Sequence, residues 1–141
     1  MAEGLFRHHA QLRGIKGRFK VRSAGTHVSQ PGARPDQRAL RIAAANGVRL
    51  GNIKARRVVS DDALRYDLII AMDRTNARDL LEWCPPDSSH KINLLLNYDS
   101  GQILEDVPDP YYGSYQRFAE VYQIIDKAVI SLMGQISGCT D

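Results

Sequence analysis

The stretch Asp-Leu-Ile-Ile-Ala-Met at residues 67–72 decides the fold, because it is a continuous apolar run of strand length. Such runs are typical of parallel strands that are covered on both faces. Residues 75–83 follow with the pattern of a helix, which Pro85 and Pro86 end. The apolar residues 92–96 predict the next strand. Strands that alternate with helices in this way indicate an α/β layer with a parallel sheet.

Further elements are predicted on both sides of this unit. Apolar residues at helical spacing predict a helix over residues 2–13 and the longest helix over residues 115–133. Residues 19–24 alternate between apolar and polar side chains, which is the pattern of a half-buried strand. Asp36 is a suitable N-cap for a helix that runs to residue 45.

Length and composition limit the classes of function. The 141 residues fit one domain with one core, residues 1–141. No apolar run is long enough to span a bilayer and the first residues lack the apolar region of a signal peptide, so we expect a cytoplasmic location. His8 and His9 are adjacent and point to different faces of a helix, so neither a metal nor another cofactor is expected. Cys84 and Cys139 suggest no disulfide framework.

The charge is unevenly distributed along the chain. The net charge is +3, but residues 1–60 carry a net +11 and residues 61–141 a net −8. A basic half is a feature of proteins that bind nucleic acids or other anionic partners. The basic residues are dispersed, however, and no aromatic side chains are interleaved with them. We therefore expect the two halves to neutralise each other in the fold, with no nucleic acid and no membrane as partner.

The second informative stretch is Val-Pro-Asp-Pro-Tyr-Tyr-Gly at residues 107–113. Pro108 and Pro110 bracket Asp109, which keeps this aspartate in a stiff, non-helical loop. Two tyrosines then place aromatic faces beside the carboxyl group, an arrangement that suits a general acid next to a flat substrate. The alternative is a proline-rich turn that precedes the next helix.

Several short motifs occur in a fixed order along nearly the whole chain. They are Met1-Ala2-Glu3, Ser23-Ala24-Gly25-Thr26, Pro35-Asp36 with Arg38-Ala39, Lys54-Ala55-Arg56, Ala71-Met72-Asp73, Asn76 with Arg78-Asp79-Leu80, and Asp109-Pro110-Tyr111-Tyr112-Gly113. With these motifs the chain resembles the low-molecular-weight protein-tyrosine phosphatases. The resemblance implies a parallel four-stranded-type sheet flanked by helices, with the strand order 2-1-3-4.

The resemblance also implies a hydrolase that removes phosphate from tyrosine through a phospho-cysteine intermediate. Asp109 would protonate the leaving phenolate, and Tyr111 and Tyr112 would line the slot for the phosphotyrosine ring. Ser23 and Asn76 would steady the phosphate-binding loop from behind. No cofactor is implied, and the partner would be a tyrosine-phosphorylated protein, for which a bacterial tyrosine kinase is one candidate.

The family's nucleophile lies in a Cys-x5-Arg-Ser-Pro loop, and these 141 residues contain no such motif. His90 stands six residues after Cys84, and Cys139 has only two residues after it. We therefore expect an N-terminally truncated member that lacks the central first strand and is catalytically incompetent. The exposed strand edges would then be closed by self-association or by the swapping of an element.

Other interpretations stay open at this point. A non-catalytic binding module on the same fold would fit the basic first half, and an arsenate reductase on this fold is less favoured because only Cys84 lies near the middle of the chain. Tyr111 and Tyr112 are alternatively ordinary half-buried aromatic residues. Ser23 and Asn76 are alternatively plain residues at a strand end and a helix start.

Overall fold

The computed structural model of the protein describes residues 1–138, which form helices around a small sheet. In chain order the elements are α1 (Ala2–Leu12), α2 (Gln37–Ala45), α3 (Asp62–Arg65), β1 (Ile69–Ala71), α4 (Arg74–Trp83), β2 (Ile92–Leu94) and α5 (Tyr115–Gly138). Short 3₁₀ helices span Lys16–Arg18, Pro86–Lys91 and Leu95–Tyr98. The predicted helices are confirmed, and the α/β class is confirmed with them. Among residues 1–138, no helix combines the length and the apolar character needed to cross a bilayer.

The sheet is smaller than the sequence predicts. Strands β1 and β2 pair in parallel, with Ile69 opposite Ile92 and Ala71 opposite Leu94, and α4 forms the crossover between them. Within residues 1–138 these two strands are the whole sheet. A four-stranded-type sheet and the absence of its central strand are therefore not confirmed by the described residues.

The strand predicted over residues 19–24 is wrong. Phe19 has extended backbone angles, but the segment has no strand partner among the described residues. The nearest sheet-like contact is an isolated parallel bridge between Gly25 and Arg57, in which Gly25 N–H donates to the Arg56 carbonyl at 2.8 Å. Alternation of side chains predicts an extended backbone, whereas a strand also needs hydrogen bonds to a neighbour.

The main core lies between α5 and the other helices. Burial along α5 follows the predicted stripe, since Phe118, Val121, Tyr122, Ile125 and Leu132 are all buried. This apolar face packs in one cluster with buried side chains of α1, α2 and the 3₁₀ helix that follows β2. Burial of such a stripe is the main source of stability for a helix of this kind. A smaller second cluster consists of Ala63, Ala71, Leu80 and Cys84.

A close backbone approach fixes α1 against the segment that follows α2. Gly4 lies in the first turns of α1 and is buried, and a Cβ atom added to it would collide with the Leu50 side chain. The same added atom would come within 3.4 Å of the Arg49 carbonyl oxygen. Glycine at this position therefore allows the helix to lie directly on residues 49–50.

Candidate active site

The loop of residues 107–113 is attached to the carboxyl end of β1. The N–H group of Val107, a buried residue, donates to the Met72 carbonyl, directly after β1, at 2.9 Å. Ligands of open α/β sheets bind at the carboxyl ends of the strands. The loop that the sequence singles out therefore lies at the edge of the sheet where a ligand is expected.

Asp109 is held in a local turn within this loop. Its carboxylate Oδ1 accepts a hydrogen bond from the Tyr111 N–H at 3.0 Å, and the Gly113 N–H donates to the Pro110 carbonyl at 2.8 Å. The Asp109 residue itself is exposed to solvent. An aspartate carboxylate that accepts a hydrogen bond from the backbone N–H two residues ahead forms a compact turn. The carboxyl group of Asp109 is therefore presented to solvent from an ordered backbone.

The two tyrosines of the loop are exposed rather than half-buried. The residues Tyr111 and Tyr112 expose 59% and 96% of their surface, and their rings meet edge to face with centroids 5.0 Å apart. Such edge-to-face pairs are a favoured aromatic geometry. The interpretation of the pair as ordinary half-buried aromatic residues is therefore wrong, and two aromatic faces are free to contact a ligand.

The residues just before the loop are tied to the start of α4. The Arg74 N–H donates to Asp106 Oδ1 at 2.8 Å, and the Arg74 guanidinium lies 3.2 Å from Asp106 Oδ2 and 2.9 Å from Glu105 Oε2. Hydrogen bonding from the Arg74 side chain holds the pKa of Asp106 below its ordinary value. These bonds and the Val107 contact fix where the loop leaves the sheet.

Residues after the aspartate are tied to α2 by Arg38. Its Nη1 donates to the Gly113 carbonyl at 2.6 Å and its Nη2 to the Tyr111 carbonyl at 2.8 Å. The same guanidinium pairs with Asp36, the N-cap of α2, whose carboxylate accepts from Nη2 at 3.0 Å. This hydrogen bond from Arg38 lowers the pKa of Asp36 and raises that of the arginine. The loop is thus held at both ends.

Asn76 bridges the first turn of α4 and the bend that follows residue 24. Its backbone N–H is capped by Asp73 Oδ1 at 2.7 Å, and its side-chain Nδ2 donates to Thr26 Oγ1 at 2.8 Å. Thr26 is buried, with 9% of its surface exposed. Asn76 therefore joins the N-terminus of α4 to the bend that follows residue 24, and its role in steadying a phosphate-binding loop stays a prediction.

Ser23 belongs to a separate hydrogen-bonded group at the first turn of α1. Its hydroxyl donates to Glu3 Oε2, and Arg7 forms an ion pair with the same carboxylate at 2.6 Å. Glu3 is only 8% exposed, so both partners contribute to satisfying a buried charge. No hydrogen bond links Ser23 to Asn76 within residues 1–138, and the two predicted supporting residues act in different pairs.

Sequence reasoning missed three residues that organise this region. Thr26 and Glu3 lie in the quoted motifs, but their partners are distant in sequence and cannot be read from spacing. Arg38 lies in the motif after Asp36, and its two hydrogen bonds to the loop depend on a fold that brings together residues 73 and 75 positions apart in the sequence. Their presence in motifs shared with a family is the signal that could have identified them.

Two cavities lie elsewhere on the surface. A volume of about 670 Å³ is lined by residues 47–52 together with Leu40 and Ala44. Neither this cavity nor the second is lined by Asp109, Tyr111 or Tyr112. The second, of about 350 Å³, is lined by Thr26, His27, Arg57, Val58, Ser60 and Trp83.

The thiol of Cys84, the cysteine within residues 1–138, is unsuited to nucleophilic chemistry. Cys84 is 7% exposed, and burial followed by the charge of Asp62 raises its pKa, so it remains a protonated thiol. Cys139 lies outside the described residues. Within residues 1–138, no three His, Cys, Asp or Glu side chains converge as a metal ion would require.

A family model and several known proteins are similar to this chain. The family model described as "Low molecular weight phosphotyrosine protein phosphatase" matches residues 1–138. The low molecular weight phosphotyrosine protein phosphatase of Schizosaccharomyces pombe is 35% identical over 128 residues, covering 89% of this chain and 81% of that protein. The low molecular weight protein-tyrosine-phosphatase YfkJ of Bacillus subtilis is 35% identical over 139 residues, covering 96% of this chain and 86% of YfkJ.

Solved structures show the same fold. The crystal structure of YfkJ superposes with a TM-score of 0.93 at 33% identity, covering 99% of this chain and 87% of YfkJ. A protein tyrosine phosphatase from Entamoeba histolytica gives a TM-score of 0.92 at 29% identity, covering 99% of this chain and 89% of the other. The chain therefore belongs to the low molecular weight phosphotyrosine protein phosphatase family.

Proposed function

We propose that the protein hydrolyses phosphotyrosine in proteins, with Asp109 as the general acid. In this reaction a thiolate attacks phosphorus, the bond to the phenolic oxygen breaks, and Asp109 transfers its proton to that oxygen. Water then attacks the phosphorus of the phospho-cysteine, which breaks the sulfur–phosphorus bond and releases phosphate and the thiolate. Tyr111 and Tyr112 contact the aromatic ring of the substrate. The observation that carries this proposal is an exposed carboxyl group on a loop fixed at both ends, beside two exposed aromatic rings.

The proposal also gives a role to the hydrogen-bonded pairs at the starts of α4 and α1. Asn76 and Thr26 hold the start of α4 against the preceding bend, while Ser23 and Glu3 hold the first turn of α1. The N-terminus of a helix favours a bound anion, because its free N–H groups point outward and its dipole is positive there. Fixing this turn from behind would keep such N–H groups in place for a phosphate.

We also propose that the nucleophilic cysteine and the phosphate-binding arginine are supplied from outside these 141 residues. Support comes from the sequence, in which neither Cys84 nor Cys139 is followed by an arginine at the sixth position. Cys84 is also buried with a raised pKa. On this proposal the 141 residues alone do not hydrolyse an aryl phosphate. A cytoplasmic location and a bacterial tyrosine kinase as substrate stay predictions.

The test compares two purified polypeptides of confirmed mass. One is the 141-residue chain, and the other carries a Cys-x5-Arg-Ser-Pro segment joined directly before Met1. We expect aryl phosphate hydrolysis only from the second, and expect it to disappear when the added cysteine is replaced by serine. Hydrolysis by the 141 residues alone at the rate of the longer chain would contradict the proposal, since another residue would then attack phosphorus.

A non-catalytic binding module is the second candidate. It is favoured by the exposed tyrosine pair in a chain without the Cys-x5-Arg motif. Titration of the 141 residues with a phosphotyrosine peptide and with its unphosphorylated counterpart separates the candidates. Phosphate-dependent binding without hydrolysis, combined with failure of the added segment to produce activity, would favour the binding module.

A further inference from the structure

Arg38 makes an unusually complete set of contacts for a surface-proximal side chain. Its Nε donates to Asp36 Oδ1 at 3.1 Å and its Nη2 to Asp36 Oδ2 at 3.0 Å, a two-pronged pair with one carboxylate. Two of its three other N–H groups donate to the loop, one from Nη1 to the Gly113 carbonyl and one from Nη2 to the Tyr111 carbonyl. One planar group therefore joins a helix cap to two backbone carbonyls.

The Arg38 guanidinium also stacks on an aromatic ring of α5. Its Cζ lies 4.2 Å from the centroid of the Phe118 ring, and Phe118 is a core residue of α5 with 4% of its surface exposed. Stacking on an aromatic face is favourable for a cation and restricts the plane of the group. Asp36 is itself held in place because it caps α2 through the Arg38 N–H at 2.8 Å. The arginine is therefore pre-oriented by two rigid elements, α2 and α5.

The contacts of this group lead directly to the proposed acid. Arg38 fixes the carbonyl of Tyr111, and the N–H of the same residue donates to the Asp109 carboxylate at 3.0 Å. The second carbonyl belongs to Gly113, whose N–H donates to the Pro110 carbonyl and closes that turn. The Tyr111 backbone is thus held on one side by the cation and on the other by the acid.

We propose that Arg38 is the positioning residue of the loop, which sets where Asp109 and the two tyrosines stand relative to α2 and α5. The catalytic meaning of this inference rests on the proposed function, while the structural part does not. A lysine cannot replace the arginine here. Its ammonium is a compact charge that cannot pair with a carboxylate through two parallel bonds, reach two carbonyls and stack on a ring at once.

The first test measures amide hydrogen exchange in the 141-residue chain. In Arg38→Lys we expect the Tyr111 and Gly113 amides to exchange at least about tenfold faster, since hydrogen bonds from charged donors are among the stronger ones. Amides in the middle of α5 should be unchanged. The matched control is Arg41→Lys on the same helix, because Arg41 lies 5.2 Å from the Tyr115 ring and has no described hydrogen bond to the loop. Exchange in Arg38→Lys equal to wild type would overturn the inference.

The second test needs no variant and applies even if Arg38→Lys fails to fold. Couplings across hydrogen bonds in the wild-type chain should connect the Arg38 Nη nitrogens to the carbonyl carbons of Tyr111 and Gly113. Their absence, with the Arg38 Nη protons exchanging as fast as those of Arg41, would refute the contact.

A rescue experiment uses the variant Arg38→Ala. Free guanidinium added to this variant should slow the exchange of the loop amides again, whereas methylammonium should not, because only the planar ion fits the site.

The third test addresses catalysis in the chain that carries the added Cys-x5-Arg-Ser-Pro segment. Arg38→Lys should lower kcat more for aryl phosphates with poor leaving groups than for those with good ones, with KM little changed, because poor leaving groups need the acid most. An equal loss for both would show that the arginine does not act through Asp109. Loop exchange altered in a chain that never hydrolyses phosphate would leave Arg38 as the loop's positioning residue and remove the proposed function instead.

Discussion

The bond between Asn76 and Thr26 gives a quantitative test of how the start of α4 is held to the bend that follows residue 24. Asn76 Nδ2 and Thr26 Oγ1 are 2.8 Å apart, Thr26 is 9% exposed and Asn76 is half-buried. A hydrogen bond of this neutral kind contributes about 0.5–1.5 kcal/mol net, and a buried group left without its partner costs about 1–3 kcal/mol. The cost of removing both partners should therefore be smaller than the sum of the two single costs.

The variants are Asn76→Leu, Thr26→Val and the double variant, each close to the original side chain in shape. Asn76→Leu should lower the free energy of unfolding by about 1–3 kcal/mol because it leaves the Thr26 hydroxyl buried and unpaired. Thr26→Val should cost about 1 kcal/mol, since the half-buried amide of Asn76 can reach water. The double variant should be more stable than the sum predicts by about 1 kcal/mol.

Urea unfolding monitored by circular dichroism measures all four proteins, with slopes compared to confirm that the denatured state is unchanged. The cap of α4 is unaffected, because Asp73 accepts from the backbone N–H of Asn76 and not from its side chain. Costs that add within about 0.3 kcal/mol would refute the reasoning, because the two residues would then not be coupled.

Three further predictions concern the core and a buried charge. Leu5→Ala, at a side chain 1% exposed, should cost about 2–5 kcal/mol in urea unfolding. Gly4→Ala should lower the melting temperature although alanine favours helices, because its Cβ collides with Leu50; an unchanged or higher value would contradict the close approach. Asp62→Asn should destabilise at neutral pH, since Asp62 accepts from Arg56 at 3.1 and 3.2 Å. Burial raises the pKa of Asp62, but the bonds from Arg56 and the Val59 N–H outweigh it, so the value lies below 3.8. The stability gap between wild type and Asp62→Asn should therefore be full above about pH 5 and shrink as the pH falls below 3.8; a gap that is constant with pH would contradict this.

The sequence predicts the helices well because their burial follows a single period. The stripe of α5 at Phe118, Val121, Tyr122 and Ile125 is visible as spacing alone, and burial then confirms it. The N-cap at Asp36 is equally local, since it bonds to a backbone group two residues ahead. Properties that depend on neighbours within a few residues can be read from the chain before it folds.

Strands are harder to predict because they depend on a partner. The apolar run of residues 67–72 forms a strand only over Ile69–Ala71, where β2 supplies hydrogen bonds. The run at residues 92–96 likewise forms a strand only over Ile92–Leu94 before the chain turns into a 3₁₀ helix. Residues 19–24 carry a suitable pattern but lack such a partner among the described residues.

In the candidate site, too, the sequence predicts local features but not contacts between distant residues. Pro108 and Pro110 predict that Asp109 stands in an ordered loop, and the turn at Tyr111 agrees with this. The sequence could not predict that Arg38 holds this loop, because Arg38 is separated from Tyr111 by 73 positions and from Gly113 by 75. The interaction exists only after α2 and α5 have packed. The roles of Asp109 and the tyrosines in catalysis stay predictions.

The measurement that tests the central claim most directly is the turnover of Asp109→Asn in the chain that carries the added Cys-x5-Arg-Ser-Pro segment. Asparagine keeps the size of the side chain and can still accept from the Tyr111 N–H, but it cannot donate a proton as an acid does. We predict that kcat for an aryl phosphate with a poor leaving group falls by about 10²–10⁴-fold. The control Asp87→Asn, at an exposed aspartate in the 3₁₀ helix Pro86–Lys91, should leave kcat unchanged. Equal turnover in the two variants would contradict the assignment of Asp109 as the general acid.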